Sequence, residues 1–299
     1  MLSTKNLSTS RVPAAVLSCF LFVCNQQTCG AQGTTPPNTP TKSLDNQANA
    51  TSSDDRWHVD SNSYFWLPGV RGTLSVLGRT VGIHASAIDL AKNARLGIMH
   101  SYDFSYNRFV IPVDIFFVRL KADKSLPFPG LMATTATATV NELILTPKIG
   151  YRLIDTRTGI KVTAVTGVRY WHVGESLGFS PNPLNLNISR SQNWADPLVG
   201  ANIHVPLTPK IVADIQGDVG GWGAGSQLEY QIVGLLGYKK QVNLTLFRHK
   251  LPTDWTFQAG YRYLYVNWQN TTGRGPLRSN NILDLVTSGV VLGTTVVLK

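Results

Sequence analysis

The feature that most constrains the fold is a strict alternation of apolar and polar residues, which begins near Trp57 and continues almost to the end of the chain. The segment 211–219 is the clearest example. One face carries Ile211, Ala213, Ile215 and Val219, and the other carries Asp214, Gln216 and Asp218. A period of two indicates a β-strand with one apolar and one polar face, whereas a helix would need a period of 3.6. The alternation therefore predicts an all-β fold.

About twelve segments carry this pattern, and ten is the alternative count. They are 57–67, 72–77, 79–86, 96–106, 109–121, 134–153, 160–173, 193–207, 211–222, 226–239, 255–269 and 282–298. Several are ten residues long or longer, whereas strands of soluble sheets usually have about five or six residues. A tilted strand needs about 9–11 residues to cross a bilayer. Strand length therefore favours an antiparallel, up-and-down transmembrane β-barrel.

The connections differ in length between the two ends of such a barrel. The predicted lower connections are mostly short, at Gly78–Arg79, Asn107–Arg108, 154–159 and 208–210. The predicted upper connections include the long ones, at 87–95, 122–133, 174–192 and 270–281. Short periplasmic turns and long outer loops are typical of outer-membrane barrels. The exception is the lower connection 240–254, which is long enough to hide a miscounted strand.

The N-terminus predicts export. Lys5 and Arg11 precede an apolar stretch at 14–23, and small residues precede a cleavage point after Ala31, as in a signal peptide. Residues 1–31 are therefore assigned to the signal peptide, and 32–55, rich in Thr, Pro, Asn and Ser, to a flexible periplasmic leader. The barrel then occupies 56–299, and the cell outer membrane is the expected location.

Alternation alone does not separate a membrane barrel from a soluble periplasmic ligand-binding β-barrel, because the two differ in which face points inward. Only 15% of the residues are charged, against about 25% in a typical soluble protein. Aromatic residues near strand ends also favour the membrane, where they would form interface girdles. These are Phe65, Trp66, Tyr170, Trp171, Trp222, Tyr265 and Trp268.

In a membrane barrel the polar faces of the strands line the lumen. The ionisable residues predicted there are Asp60, Asp103, Asp114, Glu142, Lys148, Arg152, Lys161, Arg169, Asp214, Asp218, Glu229 and Arg262. Their mixed signs predict a network of ion pairs in a narrow interior. Small barrels are filled by side chains and wide ones hold water, so a narrow pore and a plugged structural barrel both stay open.

The chain carries a net charge of +10, and the surplus basic residues fall in connections and strand ends. They are Lys92, Arg95, Lys121, Lys124, Lys239, Lys240, Arg248, Lys250, Arg274 and Arg278. Basic residues at a membrane edge attract lipid phosphates. Outer-membrane lipids, including lipopolysaccharide phosphates, are therefore the expected partners, and an exported barrel gives no reason to expect nucleic acid.

No convincing catalytic constellation is present. Gly174–Gly178 matches the G-x-S-x-G pattern of hydrolases, but the Pro-rich segment that follows cannot begin the helix that a nucleophile elbow requires. His172 and Ser176 are the one His–Ser pair near an outer loop. The six histidines lack metal-ligand spacing, so neither a metal nor another cofactor is predicted. A lipid-modifying hydrolase of the outer membrane is the alternative to a non-enzymatic barrel.

Four motifs, taken together and in order, resemble a family. They are Trp194–Ala201 followed by Val205–Leu207, Gly217–Gly221, Gly260–Leu264, and Trp66–Gly69 with Gly72–Leu74. The chain from Trp57 onward resembles a family of largely uncharacterised outer-membrane β-barrel proteins of Gram-negative bacteria, within the small outer-membrane barrel superfamily. The resemblance implies a barrel inserted by the barrel assembly machinery, without established chemistry. Such barrels usually end in an aromatic residue, and this chain ends in Leu298-Lys299. The expected function is a structural or passive small-solute channel role, porin-like, with a narrow charged lumen.

Overall fold

A computed structural model describes residues 57–76, 79–125, 135–180, 187–246, 249–272 and 279–298. The predicted signal peptide and leader lie outside the described residues. The described residues form eleven strands and one short helix. These are β1 (Trp57–Val76), β2 (Arg79–Ala85), α1 (Ala87–Asn93), β3 (Ala94–Tyr106), β4 (Phe109–Ser125), β5 (Thr135–Asp155), β6 (Lys161–Ser180), β7 (Ile188–Pro206), β8 (Ile211–Gly221), β9 (Ser226–Leu246), β10 (His249–Thr272) and β11 (Ser279–Leu298).

The strands form a closed antiparallel barrel. Each strand from β3 to β11 pairs with the next, and β11 pairs with β1 from Val59 to Ser75, which closes the ring. Ten strands make up this ring, and β2 is an additional strand that pairs with the upper part of β1. The predicted up-and-down barrel is confirmed, with the lower of the two strand counts.

The higher count arose for two reasons: β1 was divided into two predicted strands, 57–67 and 72–77, and the predicted strand 79–86 is β2, which is not part of the ring. Pro68 and Gly69 lay between the two predicted strands, but β1 continues through both residues and pairs with β11 without a shift in register. We define the lower rim as the end where β1 begins and β11 ends, and the upper rim as the opposite end. Val76 pairs with Arg79 at the upper end of β1, so the placement of Gly78–Arg79 among the lower turns was wrong.

The segment 240–254 hides no further strand. β9 and β10 continue through it and pair down to Leu246 and His249, beyond Ile211, where β8 begins to pair with β9. The hairpin that they form therefore projects past the neighbouring strand at the lower rim. At the upper rim the strands are also longer than predicted, since β6 extends to Ser180.

The outer surface of the barrel is apolar. Outward residues such as Ile149, Ile232 and Leu236 are 63%, 55% and 59% exposed, while the residues between them face the interior. Aromatic residues surround the lower end of the barrel, including Trp57, Tyr106, Phe109, Tyr151 and Tyr238. A soluble barrel would have the opposite arrangement, with its apolar face inside, so the soluble alternative is wrong.

The prediction of aromatic interface girdles was only partly right. Phe65 and Trp222 are exposed on the outer surface, but Trp66, Trp171 and Trp268 are buried inside the barrel. Adjacent residues of a strand point to opposite faces, so both members of a pair such as Phe65 and Trp66 cannot contact lipid. The described helix α1 is not long and apolar enough to cross a membrane.

The upper half of the interior is an apolar core rather than a polar lumen. Its buried members are Trp66, Ile83, Phe116, Ile144, Trp171, Val233, Leu235, Leu264, Val266, Trp268, Leu283 and Val291. Trp66 packs edge-on against Phe116, and Trp171 stacks on Trp194 at a centroid distance of 5.3 Å. Most of this cluster lies in the upper interior, above the charged residues, whereas Val233 and Leu235 lie lower on β9 than Glu229.

Candidate functional site

Six of the predicted lumen residues meet in the interior, below most of the apolar core. We call this group the charged seal. Its members are Asp114, Lys148, Arg169, Asp218, Glu229 and Arg262. They come from six different strands, β4, β5, β6, β8, β9 and β10, and they bond across the barrel, which is possible only through its interior.

Arg169 lies at the centre of the seal. Its guanidinium donates to Asp218 at 2.9 Å, to Glu229 at 3.2 Å and to the Thr146 hydroxyl at 3.3 Å. Lys148 donates to the second oxygen of Asp218 at 2.7 Å. Arg169 and Glu229 are fully buried. Such charges are tolerated inside a protein only when they are paired and hydrogen-bonded, and these are.

Arg262 forms the other half of the seal. It donates to Asp114, to the Tyr64 hydroxyl and to Gln231, each at 3.0 Å. The Tyr64 hydroxyl in turn donates to Asp114 at 2.7 Å. The guanidinium also lies 4.7 Å from the centre of the Trp66 ring, a cation–π contact that connects the seal to the apolar core. Side chains fill most of the interior at this height and leave a cavity of about 70 Å³, lined in part by Asp114, Lys148 and Arg262.

Five of the other predicted lumen residues lie lower. Asp60, Asp103, Arg152, Lys161 and Asp214 line a cavity of about 210 Å³ between the seal and the lower rim. The ion pairs that these residues form are separate and do not build a network. Asp214 pairs with His204 at 2.6 Å, and Arg152 pairs with Asp155 at 3.2 Å. These residues form a polar vestibule below the seal, separate from the pairs that close it.

Glu142, the last of the predicted residues, lies in neither group. It is found in the apolar upper part, among the residues of a cavity of about 270 Å³ that we call the side cavity. Its inner lining includes Met99, Phe116, Ile144 and Leu264. The predicted lumen set is therefore divided among three places, which differ in height and in polarity.

The side cavity lies at an interruption of the barrel wall. β1 pairs with β3 only from Trp57 to Ser63, and it pairs with β2 only from Val70 upward. Between these two ladders, residues 64–69 of β1 have no strand partner on this side within the described part of the chain. The Trp66 amide instead donates to the sulfur of Met99 at 3.0 Å.

Pro68 fits this interruption. Backbone N–H groups two residues apart on a strand point to the same side, so the nitrogen of Pro68 faces the same gap as that of Trp66. Proline has no N–H and is found in sheets where no ladder bond is needed. Sequence reasoning took Pro68-Gly69 as the end of a strand, but it marks an unpaired edge in the barrel wall.

The cavity reaches through the wall at this gap. It contacts Phe65 and Trp66 of β1, and Leu96 and Gly97 of β3, although adjacent residues of a strand face opposite sides of the sheet. A cavity can contact both faces only where the wall is open. Phe65 and Leu96 are about half exposed, at 53% and 50%, so the mouth of the cavity opens on the apolar outer surface.

Helix α1 covers part of the cavity with Ala87, Leu90 and Ala91. The helix begins with a capping box. The Asp89 amide donates to the Ser86 hydroxyl at 3.2 Å, and the Ser86 hydroxyl donates to the Asp89 carboxylate at 2.6 Å. The hydroxyl bond holds the pKa of Asp89 below its usual value. This cap stabilises a helix that is otherwise too short to be stable by itself.

Replacing Ser86 with Ala should therefore destabilise α1, by about 1 kcal/mol for loss of an N-cap. Hydrogen exchange at the Leu90 amide, which bonds to the Ser86 carbonyl, is expected to accelerate at neutral pH. Because the pKa of Asp89 is lowered in the folded state, its contribution is present at neutral pH and is lost as pH falls through that pKa. The difference between wild type and variant should narrow at acidic pH but persist, because the bond from the Asp89 amide to the Ser86 hydroxyl does not require an ionised Asp89. Equal exchange rates of the two proteins at neutral pH would contradict this assignment.

The catalytic candidates do not assemble into a site. Gly174–Gly178 lies inside strand β6, not at a strand-to-helix turn, so its Ser176 is not on a nucleophile elbow. His172 hydrogen-bonds Asn193 of the neighbouring strand. Across the described ranges, no three His, Cys, Asp or Glu side chains are grouped so that they could hold a metal ion.

The motif residues have structural roles that sequence reasoning missed. Asp196 accepts hydrogen bonds from the amide and hydroxyl of Ser226 and from the indole of Trp194. These bonds hold the β8–β9 turn, in which Trp222 has a φ of 48°. Asp196 is fully buried, and the only local signal for it was the Trp-Ala-Asp-Pro motif.

The chain is similar to several solved structures, and the first of those described below supports the fold. The chain is similar to the outer membrane protease OmpT from Escherichia coli, with a TM-score of 0.53 and 10% identity, over 83% of this chain and 99% of that one. The translocator domain of the autotransporter NalP from Neisseria meningitidis has a TM-score of 0.33 and 16% identity, over 83% and 89% of the chains. Ail of Yersinia pestis, in complex with the heparin analogue sucrose octasulfate, also has a TM-score of 0.33. Its identity is 10%, over 79% of this chain and 97% of that one.

No family model matches the sequence, and no curated protein matches it either. The similarity to OmpT concerns the fold alone, because the identity is low. Together with the apolar outer surface, this fold places the protein in the outer membrane, as predicted.

Proposed function

We propose that this protein is an outer-membrane barrel that takes up small apolar molecules from the bilayer through the side cavity. The observation that carries the proposal is that one cavity contacts both faces of the wall, at Phe65 and Trp66 of β1 and again at Leu96 and Gly97 of β3. An apolar molecule dissolved in the membrane could enter there without crossing water. The apolar lining then supplies the binding energy by removing its surface from polar surroundings.

The size of the cavity sets the class of ligand. An apolar protein cavity of about 150 Å³ holds benzene, and the side cavity has about 270 Å³. It should therefore accept a molecule of two fused aromatic rings or a short alkyl chain. A complete phospholipid would not fit.

The charged seal argues against a passive channel for ions. Arg169 and Glu229 have no exposed surface, and a continuous water-filled passage would expose them. The proposal thus departs from the expected porin-like role, in which solutes pass along the barrel axis. In the resting state, access from the membrane ends in the upper interior, above the seal.

Replacing Gly97 with Phe is expected to block the side cavity. A Cβ added at Gly97 would meet its nearest atoms at 3.9 Å, so the backbone accommodates a side chain and the ring can occupy the cavity. Binding of naphthalene to the protein in lipid nanodiscs, measured by equilibrium dialysis in excess over empty nanodiscs, should fall at least about tenfold, the equivalent of about 1.4 kcal/mol.

Gly82 provides the matched control. A Cβ at Gly82 of β2 has no neighbour within 4 Å, and this residue does not line the side cavity. Gly82→Phe should bind naphthalene like the wild type. If wild-type nanodiscs bind no more naphthalene than empty ones, or if Gly97→Phe binds as well as Gly82→Phe, the proposed function is wrong.

A further inference from the structure

We infer that the side cavity selects apolar molecules that carry one hydroxyl group, and that Glu142 is the residue that recognises it. This inference rests on the proposed function, because it names the ligand class of the same cavity. It goes beyond that function because an apolar cavity alone would not distinguish a hydrocarbon from its hydroxylated analogue.

The position of Glu142 is the first argument. It lies on β5 opposite Val118 of β4 and Val173 of β6, and it lines the side cavity together with Ile144 and Leu264. A carboxyl group in such surroundings is costly unless it is hydrogen-bonded. A purely structural position on this wall would be filled at lower cost by an apolar residue.

The second argument is that this carboxyl is available. In the described part of the molecule, Glu142 makes no hydrogen bond and no ion pair, whereas Glu229 is bonded to both Arg169 and the Trp171 indole. An acceptor without a partner, facing a cavity that is large enough for a ligand, is suited to bind a donor on that ligand. The hydrogen bond would form only when the ligand is present.

The charges around Glu142 favour a neutral donor. Arg262, already bonded to Asp114, Tyr64 and Gln231, acts electrostatically on Glu142. Its positive charge opposes a second cation in the cavity, and the carboxyl group itself opposes an anion. A hydroxyl group carries the required proton without a charge and can be buried with an aromatic ring at a modest cost.

The test compares 1-naphthol with naphthalene in the wild type and in Glu142→Leu. Both ligands fit the cavity, and each is measured in nanodiscs in excess over its own partition into empty nanodiscs. We expect the wild type to bind 1-naphthol about tenfold more tightly than naphthalene, the effect of one hydrogen bond to a buried carboxyl group that otherwise has no partner among the described residues. Glu142→Leu should lose this preference and bind naphthalene at least as well as the wild type.

Thr287 supplies the control, because it is another polar residue of the cavity wall. Thr287→Val should keep the preference for 1-naphthol. Glu142→Gln is a second variant of nearly equal size, which should show a reduced preference and remains informative if Glu142→Leu does not insert.

The outcomes separate the two proposals. Binding of naphthalene without a preference for 1-naphthol overturns the hydroxyl selection and leaves the proposed function in place. A preference that survives both Glu142 variants overturns the role of Glu142. Tighter binding of 1-naphthylmethylamine than of 1-naphthol overturns the choice of a neutral donor, and absence of binding by every probe overturns the proposed function and this inference together.

Discussion

Arg169→Met is expected to lower the free energy of unfolding by about 3–5 kcal/mol, the usual cost of removing one partner from a buried ion pair. The substitution keeps much of the side-chain volume but leaves two acids without their shared cation. Asp218 retains Lys148 at 2.7 Å, while Glu229 retains only the Trp171 indole at 3.1 Å among the donors of the described residues. Urea unfolding in lipid vesicles, followed by tryptophan fluorescence and by the heat-modifiable gel shift, measures the change.

Lys121→Met is the matched control. Lys121 and Asp123 are 3.9 Å apart and nearly half exposed, and exposed pairs contribute at most about 1 kcal/mol. Lys121→Met should therefore change the free energy of unfolding only slightly. Equal effects of the two substitutions would contradict the assignment of the seal as a buried network. Adding Glu229→Gln to Arg169→Met should recover part of the lost stability, because it removes the unpaired charge.

The seal also predicts a conductance phenotype for the same variant. Wild-type protein in planar bilayers should show no discrete conductance, because the interior is packed at the height of Arg169. Arg169→Met should show brief openings in the fraction that inserts, since water can solvate the unpaired Glu229 carboxylate. Steady conductance of the wild type would show that the packed state is not the resting state.

Alternation separated the two faces of each strand, and the assignment to the membrane then decided which face points inward. Arg169, Asp218 and Glu229 were placed on the inner face from periodicity together with the membrane assignment, and each is buried there. Periodicity carries no information about height in the barrel, because height depends on the pairing register between strands that are distant in sequence. For this reason Asp60 and Glu142 were grouped with Arg169, although one lies in the lower vestibule and the other in the side cavity.

The side cavity could not be predicted for a related reason. It exists because β1 stops pairing with β3 at Ser63 and His100. Where two strands stop pairing depends on both of them, so neither strand's own sequence shows it. The local trace of this interruption was Pro68, and a proline inside an apolar run has two readings, a turn or an unpaired edge. The pairing of β1 with β11 across Pro68 shows that Pro68 marks an unpaired edge and not a turn. That pairing joins the first and last strands of the described chain, which are distant in sequence.

Gly260→Ala is expected to prevent the barrel from closing correctly, with a cost at or above the upper end of the 1–3 kcal/mol typical of overpacking. The inner face of β10 lies so close to β9 at this point that a Cβ on Gly260 would lie 1.9 Å from the Gly234 carbonyl oxygen and 2.8 Å from the Leu235 Cα. Both obstacles are backbone atoms, so no side chain can rotate away. The folded fraction after refolding into vesicles, read from the unboiled gel band, should fall strongly.

Gly234→Ala tests the same contact from the other strand. A Cβ on Gly234 would have no neighbour within 4 Å, because this residue faces the outer surface between Val233 and Leu235, whose side chains are buried. The two glycines are adjacent in space and differ in the face they occupy, so loss of glycine flexibility during folding is similar for both. A normal yield of Gly234→Ala with a poor yield of Gly260→Ala would assign the effect to the close approach of the strands. Equal yields would mean that β9 and β10 can separate at this point, and that the glycine of the Gly260–Leu264 motif has another role.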